Sequence, residues 1–280
     1  MLNGVKMDVT EIIKDAFVFP SKDIKILLIY FLLSVLAGAF LTIGTLVYVL
    51  GFITPQCFLW GGLAVIISML IGWVTYGYLI SVIKSGIDRD DAVPEFEWWD
   101  NFITGFNNFI VTIVYFIIPA FITVVVGYLT NIYGNFMILY RAVYLQAALV
   151  YKGASTIAFG AISQAMANLA ISLAVTLAVA LVVFVIFSFF HTMAQARLAN
   201  TDSLFEALNV FEAAKDITRI GVTKVIILIL LVIIIISVIE AILSAIFSYV
   251  PLLSILSIII TPYLIFFAQR AIGLLYSDIA

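Results

Sequence analysis

Charged residues are scarce in this chain: Asp, Glu, Lys and Arg make up 10% of its 280 residues, whereas 65% are hydrophobic. Between Lys25 and Lys84 a run of 58 residues holds no Asp, Glu, Lys, Arg or His. A water-soluble domain could not hide so much apolar surface, which excludes a soluble enzyme or regulator and implies an integral membrane protein. Cysteine is nearly absent. The single Cys57 allows neither an internal disulfide nor a cysteine metal cluster, and reads as a small buried apolar residue. The single His191 lies far from it and on the opposite predicted face, so no Cys–His pair can form. The net charge of −3 comes with no polybasic patch, and nucleic acid is not an expected partner.

Recognisable chemistry is missing as well. The chain has no His-Glu-x-x-His, no Gly-x-x-x-x-Gly-Lys phosphate loop and no Gly-x-Ser-x-Gly elbow. No catalytic residue, metal ligand or cofactor is therefore expected, and the chain is not read as an enzyme.

What is present is apolar length. A helix crosses a bilayer with roughly 20 apolar residues, and the uncharged stretches divide into six spans at about 26–50, 57–83, 109–130, 169–193, 223–249 and 252–276. Six spans place eleven cations, from Lys6 to Arg270, on one side and leave Arg141 and Lys152 on the other. By the positive-inside rule both termini face the cytoplasm, so the expected location is the cell membrane. Residues 136–151 would erase this asymmetry as a seventh span, and are read as an outer-surface or re-entrant segment. The start, Met1 to Lys6, has no cleavable signal pattern, so the first span is expected to serve as its own signal.

Three amphipathic stretches precede pairs of spans, which suggests repeats at 8–83, 93–193 and 203–276 within one membrane domain over 1–280. The first opens with Asp8 and Glu11 and presents Ile12, Ile13, Ala16 and Phe17 before Pro20. The second starts at Pro94 and sets Trp99, Phe102 and Phe106 at helical spacing, so it should lie flat on the inner surface. The third opens with the capping box Ser203–Glu206 and continues through Leu208, Phe211, Ile217 and Ile220. The expected fold class is thus all-α: an integral membrane bundle of about six transmembrane helices with cytoplasmic amphipathic interfacial helices.

Several segments carry a family resemblance. Asp15-Ala16-Phe17-Val18-Phe19-Pro20 with Lys22-Asp23, the loop Val93-Pro94-Glu95-Phe96-Glu97-Trp98-Trp99-Asp100, Ala196-Arg197-Leu198-Ala199, and the closing Arg270 to Tyr276 are similar to an uncharacterised prokaryotic membrane family. It is known as domain of unknown function four-zero-one-three. The resemblance runs from about Met7 to Tyr276. It implies a polytopic membrane protein, found especially in archaea, with no assigned reaction and no functional residues to transfer.

Individual polar residues supply the remaining candidates. Glu240 lies sixteen positions beyond Lys224, roughly 24 Å along a helix, and an intramembrane carboxyl is a functional candidate by default. It is expected to face the bundle interior. Arg270 and Gln269 join it as a candidate polar site at the inner end of the last span, with Arg270 snorkelling or paired to a loop acid such as Asp216. His191 reads as interfacial. Trp98, Trp99, Phe102 and Phe106 read as interfacial anchors, and Ala170, Ala174 and Ala178 as a stripe for close helix packing. Two function classes follow. One is a non-enzymatic membrane scaffold or envelope component whose partners are the bilayer, other membrane proteins or a second copy. The other is a small-solute transporter or channel using Glu240, which requires Glu240, Asn168, Gln164, Gln195 and Gln269 to share one cavity.

Overall fold

A computed structural model describes residues 6–151 and 159–280, and every regular element among them is helical. Helix α1 (Val9–Val18) is started by the capping box, with the Asp8 N–H donating to Glu11 at 3.2 Å. Pro20 closes it in a 3₁₀ turn over Phe19–Lys22. Asp23 then caps α2 (Ile24–Leu50), its carboxylate accepting from the N–H groups of Lys25 and Ile26 at 2.9 and 3.2 Å. After the turn at Gly51 to Pro55 come α3 (Gln56–Ile87), α4 (Trp98–Leu129), α5 (Ile132–Tyr151) and α6 (Phe159–Thr201). Short α7 (Leu204–Ala207) and α8 (Val210–Ile220) lead to Gly221, whose φ of 116° breaks the chain before α9 (Val222–Tyr249). A 3₁₀ turn over Pro251–Leu256 precedes α10 (Ser257–Tyr276).

Among the described residues six helical segments are long and apolar enough to cross a membrane: Ile24–Leu50, Gln56–Ile87, Trp98–Leu129, Ile162–Thr201, Val222–Tyr249 and Pro251–Tyr276. The six expected spans are all there, but two are longer than hydropathy suggested. The stretch Glu95–Asn108, expected to lie flat as a separate surface helix, is instead the first turns of α4 from Trp98 onward. No Pro interrupts residues 98–109, and Gly105, which packs against Trp73 and Gly77, does not break the ladder of α4. The 32 residues of α4 measure about 48 Å, more than the roughly 30 Å hydrocarbon core. The third amphipathic stretch also differs: Ser203 and Asn209 cap two separate helices, α7 and α8.

The chain divides into two compact units, Met1–Thr112 with Phe190–Ala280, and Ile113–Phe189. In the first, α3 is the hub, and it approaches its neighbours at glycines. A Cβ on Gly61 would meet the Tyr48 Cα of α2 at 2.6 Å and the Gly44 carbonyl at 2.7 Å. One on Gly77 would strike the Asn101 carbonyl of α4 and meet the Gly105 nitrogen at 2.7 Å. One on Gly86 would meet the Arg270 carbonyl and the Gly273 Cα of α10, both at 2.9 Å. Lipid chains are as apolar as leucine, so helices in a bilayer are held by close backbone approach more than by hydrophobic burial. A buried cluster of Phe19, Leu27, Tyr30, Tyr78, Val82 and Phe266 joins α2, α3 and α10 to the 3₁₀ turn. Phe96 stacks on Tyr78 with ring centroids 4.0 Å apart, and the Tyr78 hydroxyl donates to the Pro94 carbonyl at 2.8 Å.

In the second unit the expected stripe of Ala170, Ala174 and Ala178 is exposed rather than packed. The buried face of α6 there holds Ala165, Ser172 and Thr176. Asn135 donates to the Ser172 hydroxyl at 2.6 Å, Ser172 donates to the Thr130 carbonyl at 2.8 Å, and the Thr130 and Thr176 hydroxyls are 3.0 Å apart. Hydrogen bonds from α6 to α5 and to the turn after α4, rather than alanine contact, accompany the face that is buried. Helix α5 covers the segment read as outer-surface or re-entrant; it is not among the six span-competent helices.

Candidate functional site

Two layers of polar side chains occupy the first unit. One is an ion-paired base. Arg270, 1% exposed, does not snorkel and does not pair with Asp216. Its Nε donates to Asp15 at 2.9 Å, its Nη1 to the carbonyls of Ser85 and Asp90 at 2.7 and 2.6 Å, and its guanidinium lies 4.4 Å from the Phe19 ring centre. Asp216, fully buried, accepts from Arg197 at 2.7 Å and from Arg219 and the Tyr276 hydroxyl at 2.9 Å each. Its partners come from α6, α8 and α10, whereas the acid on Arg270 comes from α1. Arg197 also binds Glu206 at 2.7 Å. Lys224 reaches the Met7 carbonyl and Asp278, both at 2.5 Å. On the exposed rim Lys22 meets Asp91, and hydrogen bonding to that lysine lowers the Asp91 carboxyl below its ordinary range. Amphipathic α1 and α8 are thus bound into the protein's own base.

The second layer is a cavity of about 650 Å³ among α2, α3, α4, α6 and α10. The α2 and α3 side is mostly apolar, with Ala37, Gly38, Leu41, Met69, Gly72 and Trp73, and the hydroxyls it carries at Ser34, Ser68 and Thr75 donate to the backbone carbonyls of Tyr30, Ala37 and Gly72. A Cβ on Gly38 or Gly72 would find no atom within 4 Å, so both glycines border open space. The facing wall carries Asn108, Thr112, His191 and Gln195. Asn108 accepts from the Gln195 amide at 3.2 Å. Thr112 donates to the Asn108 carbonyl at 2.8 Å, so its contact at 3.0 Å with His191 Nε2 is assigned with the imidazole as donor. His191 therefore lines the cavity. Tyr76 and Phe109, 59% and 38% exposed, place part of the lining at the surface of the unit. The wall offers amide, hydroxyl and imidazole groups that can donate and accept hydrogen bonds.

The remaining sequence candidates are dispersed. Glu240 is exposed and lines a separate groove of about 250 Å³ between α9 and α10 with Ser244, Ser257 and Thr261. It has no hydrogen-bond or ionic partner among the described residues. Gln269 has a buried, unpartnered Oε1 and lines neither cavity nor groove. Gln164 donates to Asn168 at 3.1 Å on α6 in the second unit. Glu240, Arg270 and Gln269 therefore do not form one polar site, and within the first unit Gln195 lines the cavity while Glu240 lines the groove and Gln269 lines neither. Trp98 and Trp99 are exposed, 56% and 71%, while Phe102 and Phe106 pack edge-on against Trp73, centroids 5.6 and 4.9 Å away. The polar wall itself was missed; Asn108, Thr112, His191 and Gln195 at spacings of four on two spans were its only signal.

Helices of this number and length define a polytopic α-helical membrane protein. The chain belongs to the family described as Protein of unknown function (DUF4013), whose model matches residues 60–248. That match contains the loop Val93 to Asp100 and the stretch Ala196 to Ala199, while Asp15 to Asp23 and Arg270 to Tyr276 lie outside it. No curated protein and no solved structure matches the chain.

Proposed function

We propose that the protein is a non-enzymatic component of the cell membrane that holds a small membrane-soluble molecule in the cavity between α2, α3, α4, α6 and α10. The observation carrying this reading is the cavity itself: about 650 Å³, apolar on one wall and hydrogen-bonding on the other, which is the make-up of small-molecule sites. A scaffold acting through its cytoplasmic helices is less supported, because α1 and α8 are tied into the ion-paired base through Asp15 and Asp216. On this reading the base faces the cytoplasm with both termini. Every salt bridge among the described residues joins segments on the cation-rich side. A second reading, transport of a small solute through Glu240, keeps one observation in its favour: an unpartnered carboxyl within a span. The separation of Glu240 from the cavity counts against it.

Native mass spectrometry of the full chain in detergent tests the proposal. The wild type should retain a small bound molecule. Gly38→Leu with Gly72→Leu should lose it, because both side chains enter the open space. Folding should not suffer, since each change removes a helix-glycine penalty of about 0.8 kcal/mol. A bare wild-type protein, or a variant that retains the same adduct, would refute the assignment.

A further inference from the structure

The cavity also constrains the chemistry of its occupant, and this inference rests on the ligand-holding reading above. We infer that the ligand is an uncharged, single-chain amphiphile whose head presents hydroxyl or carbonyl oxygens, in the class of monoacylglycerols and long-chain alcohols.

Three observations point there. The first is charge. No Asp, Glu, Lys or Arg lines the cavity, although such residues crowd the base nearby. A charged head would enter a low-dielectric space with no counter-charge, which is costly. The second is the wall of Asn108, Thr112, His191 and Gln195. Asn108 and Gln195 share one hydrogen bond, and an amide has more donor and acceptor positions than that bond uses. Among the described residues the Gln195 carbonyl and second amide hydrogen make no other bond, so they are available to a head group that both donates and accepts. A pure hydrocarbon would leave them unsatisfied. The third is size. At roughly 30 Å³ for each water-sized group, 650 Å³ holds about twenty non-hydrogen atoms, close to those of an eighteen-carbon alcohol, and the opening beside exposed Tyr76 and Phe109 lets the few further atoms of a monoacylglycerol head extend past it. The facing wall fits a tail, being apolar and free of side chains at Gly38 and Gly72.

The test holds the tail constant and changes the head. Monooleoylglycerol, oleate and oleylamine are titrated into the full chain in detergent, and binding is read by thermal shift. A second readout is quenching of tryptophan fluorescence by a bromine-labelled chain, with Trp73→Phe identifying the cavity component. The neutral probe should bind at least tenfold tighter than either charged one. Gln195→Leu should weaken it about fivefold, the worth of roughly one hydrogen bond. Gln195→Glu should move the preference toward oleylamine. If oleate or oleylamine binds as tightly as monooleoylglycerol to the wild type, the neutral class is wrong while the ligand-holding reading stands. If none of the three binds, and native mass spectrometry finds the wild type bare, both fall. A neutral preference that survives Gln195→Leu and Gln195→Glu unchanged would overturn the assignment of the polar wall as the head-group site.

Discussion

Replacing Asp15 by alanine takes away the carboxylate that faces Arg270 and leaves the guanidinium with two backbone carbonyls and the Phe19 ring. Removing one partner of a buried pair costs about 3–5 kcal/mol. Three features bring the expected loss to the lower end. The Ser85 and Asp90 carbonyls stay in place at 2.7 and 2.6 Å, the ring contact at 4.4 Å remains, and the Asp15 side chain is 30% exposed, so water can enter behind it. About 3 kcal/mol corresponds to a fall in melting temperature of roughly 6–10 °C for a chain of this size. Melting of the detergent-solubilised protein measures it, and hydrogen exchange over Val9 to Val18 shows whether α1 detaches from α10. Arg270→Met keeps the bulk without the charge, and combining it with Asp15→Ala should cost clearly less than the two single losses added together. Single losses under about 0.5 kcal/mol, or strictly additive ones, would refute the view that this pair locks α1 to the bundle.

Two further outcomes follow from the packing and the base. Gly77→Ala puts a methyl against the Asn101 backbone carbonyl, which cannot move away as a side chain would, and should cost about 1–3 kcal/mol. Gly62→Ala, with no atom within 4 Å of its Cβ, should stabilise by up to about 1 kcal/mol; equal responses in a melting experiment would contradict the hub role of α3. Glu212 has its carboxyl held below the ordinary value, first by the hydrogen bond from Lys215 and then by the charges of Lys215, Arg219 and Arg197. The folded state therefore favours the ionised form. Its stabilisation is present above the unfolded value of about 4.3 and is lost as pH falls through the lower folded one. Melting temperatures of wild type and Glu212→Gln should differ at pH 6 and draw together as pH falls through the lowered carboxyl, whereas a gap that widens in acid would show the sign to be wrong.

Hydropathy and charge placement are one-dimensional, and the sequence by itself determined what depends on them. The six spans follow from runs of apolar residues that must satisfy their own backbone in a bilayer, and the starts of α1 and α7 follow from Asp8 with Glu11 and Ser203 with Glu206 three residues apart. The limits of those spans were less legible. Amphipathic periodicity at Trp99, Phe102 and Phe106 looks the same on a surface helix as on the first turns of a span, and only the unbroken ladder of α4 distinguished them. Choice of partner lay beyond the sequence altogether. Arg270 had acids available in several loops, and tertiary structure gave it Asp15, 255 residues away, while Asp216 took Arg197, Arg219 and the Tyr276 hydroxyl. Gly61, Gly77 and Gly86 line up as contact points only once three neighbours surround α3, and the cavity exists only where Gly38 and Gly72 meet no neighbour. A void has no residue of its own, so its volume and its neutral lining are properties of how separate spans pack.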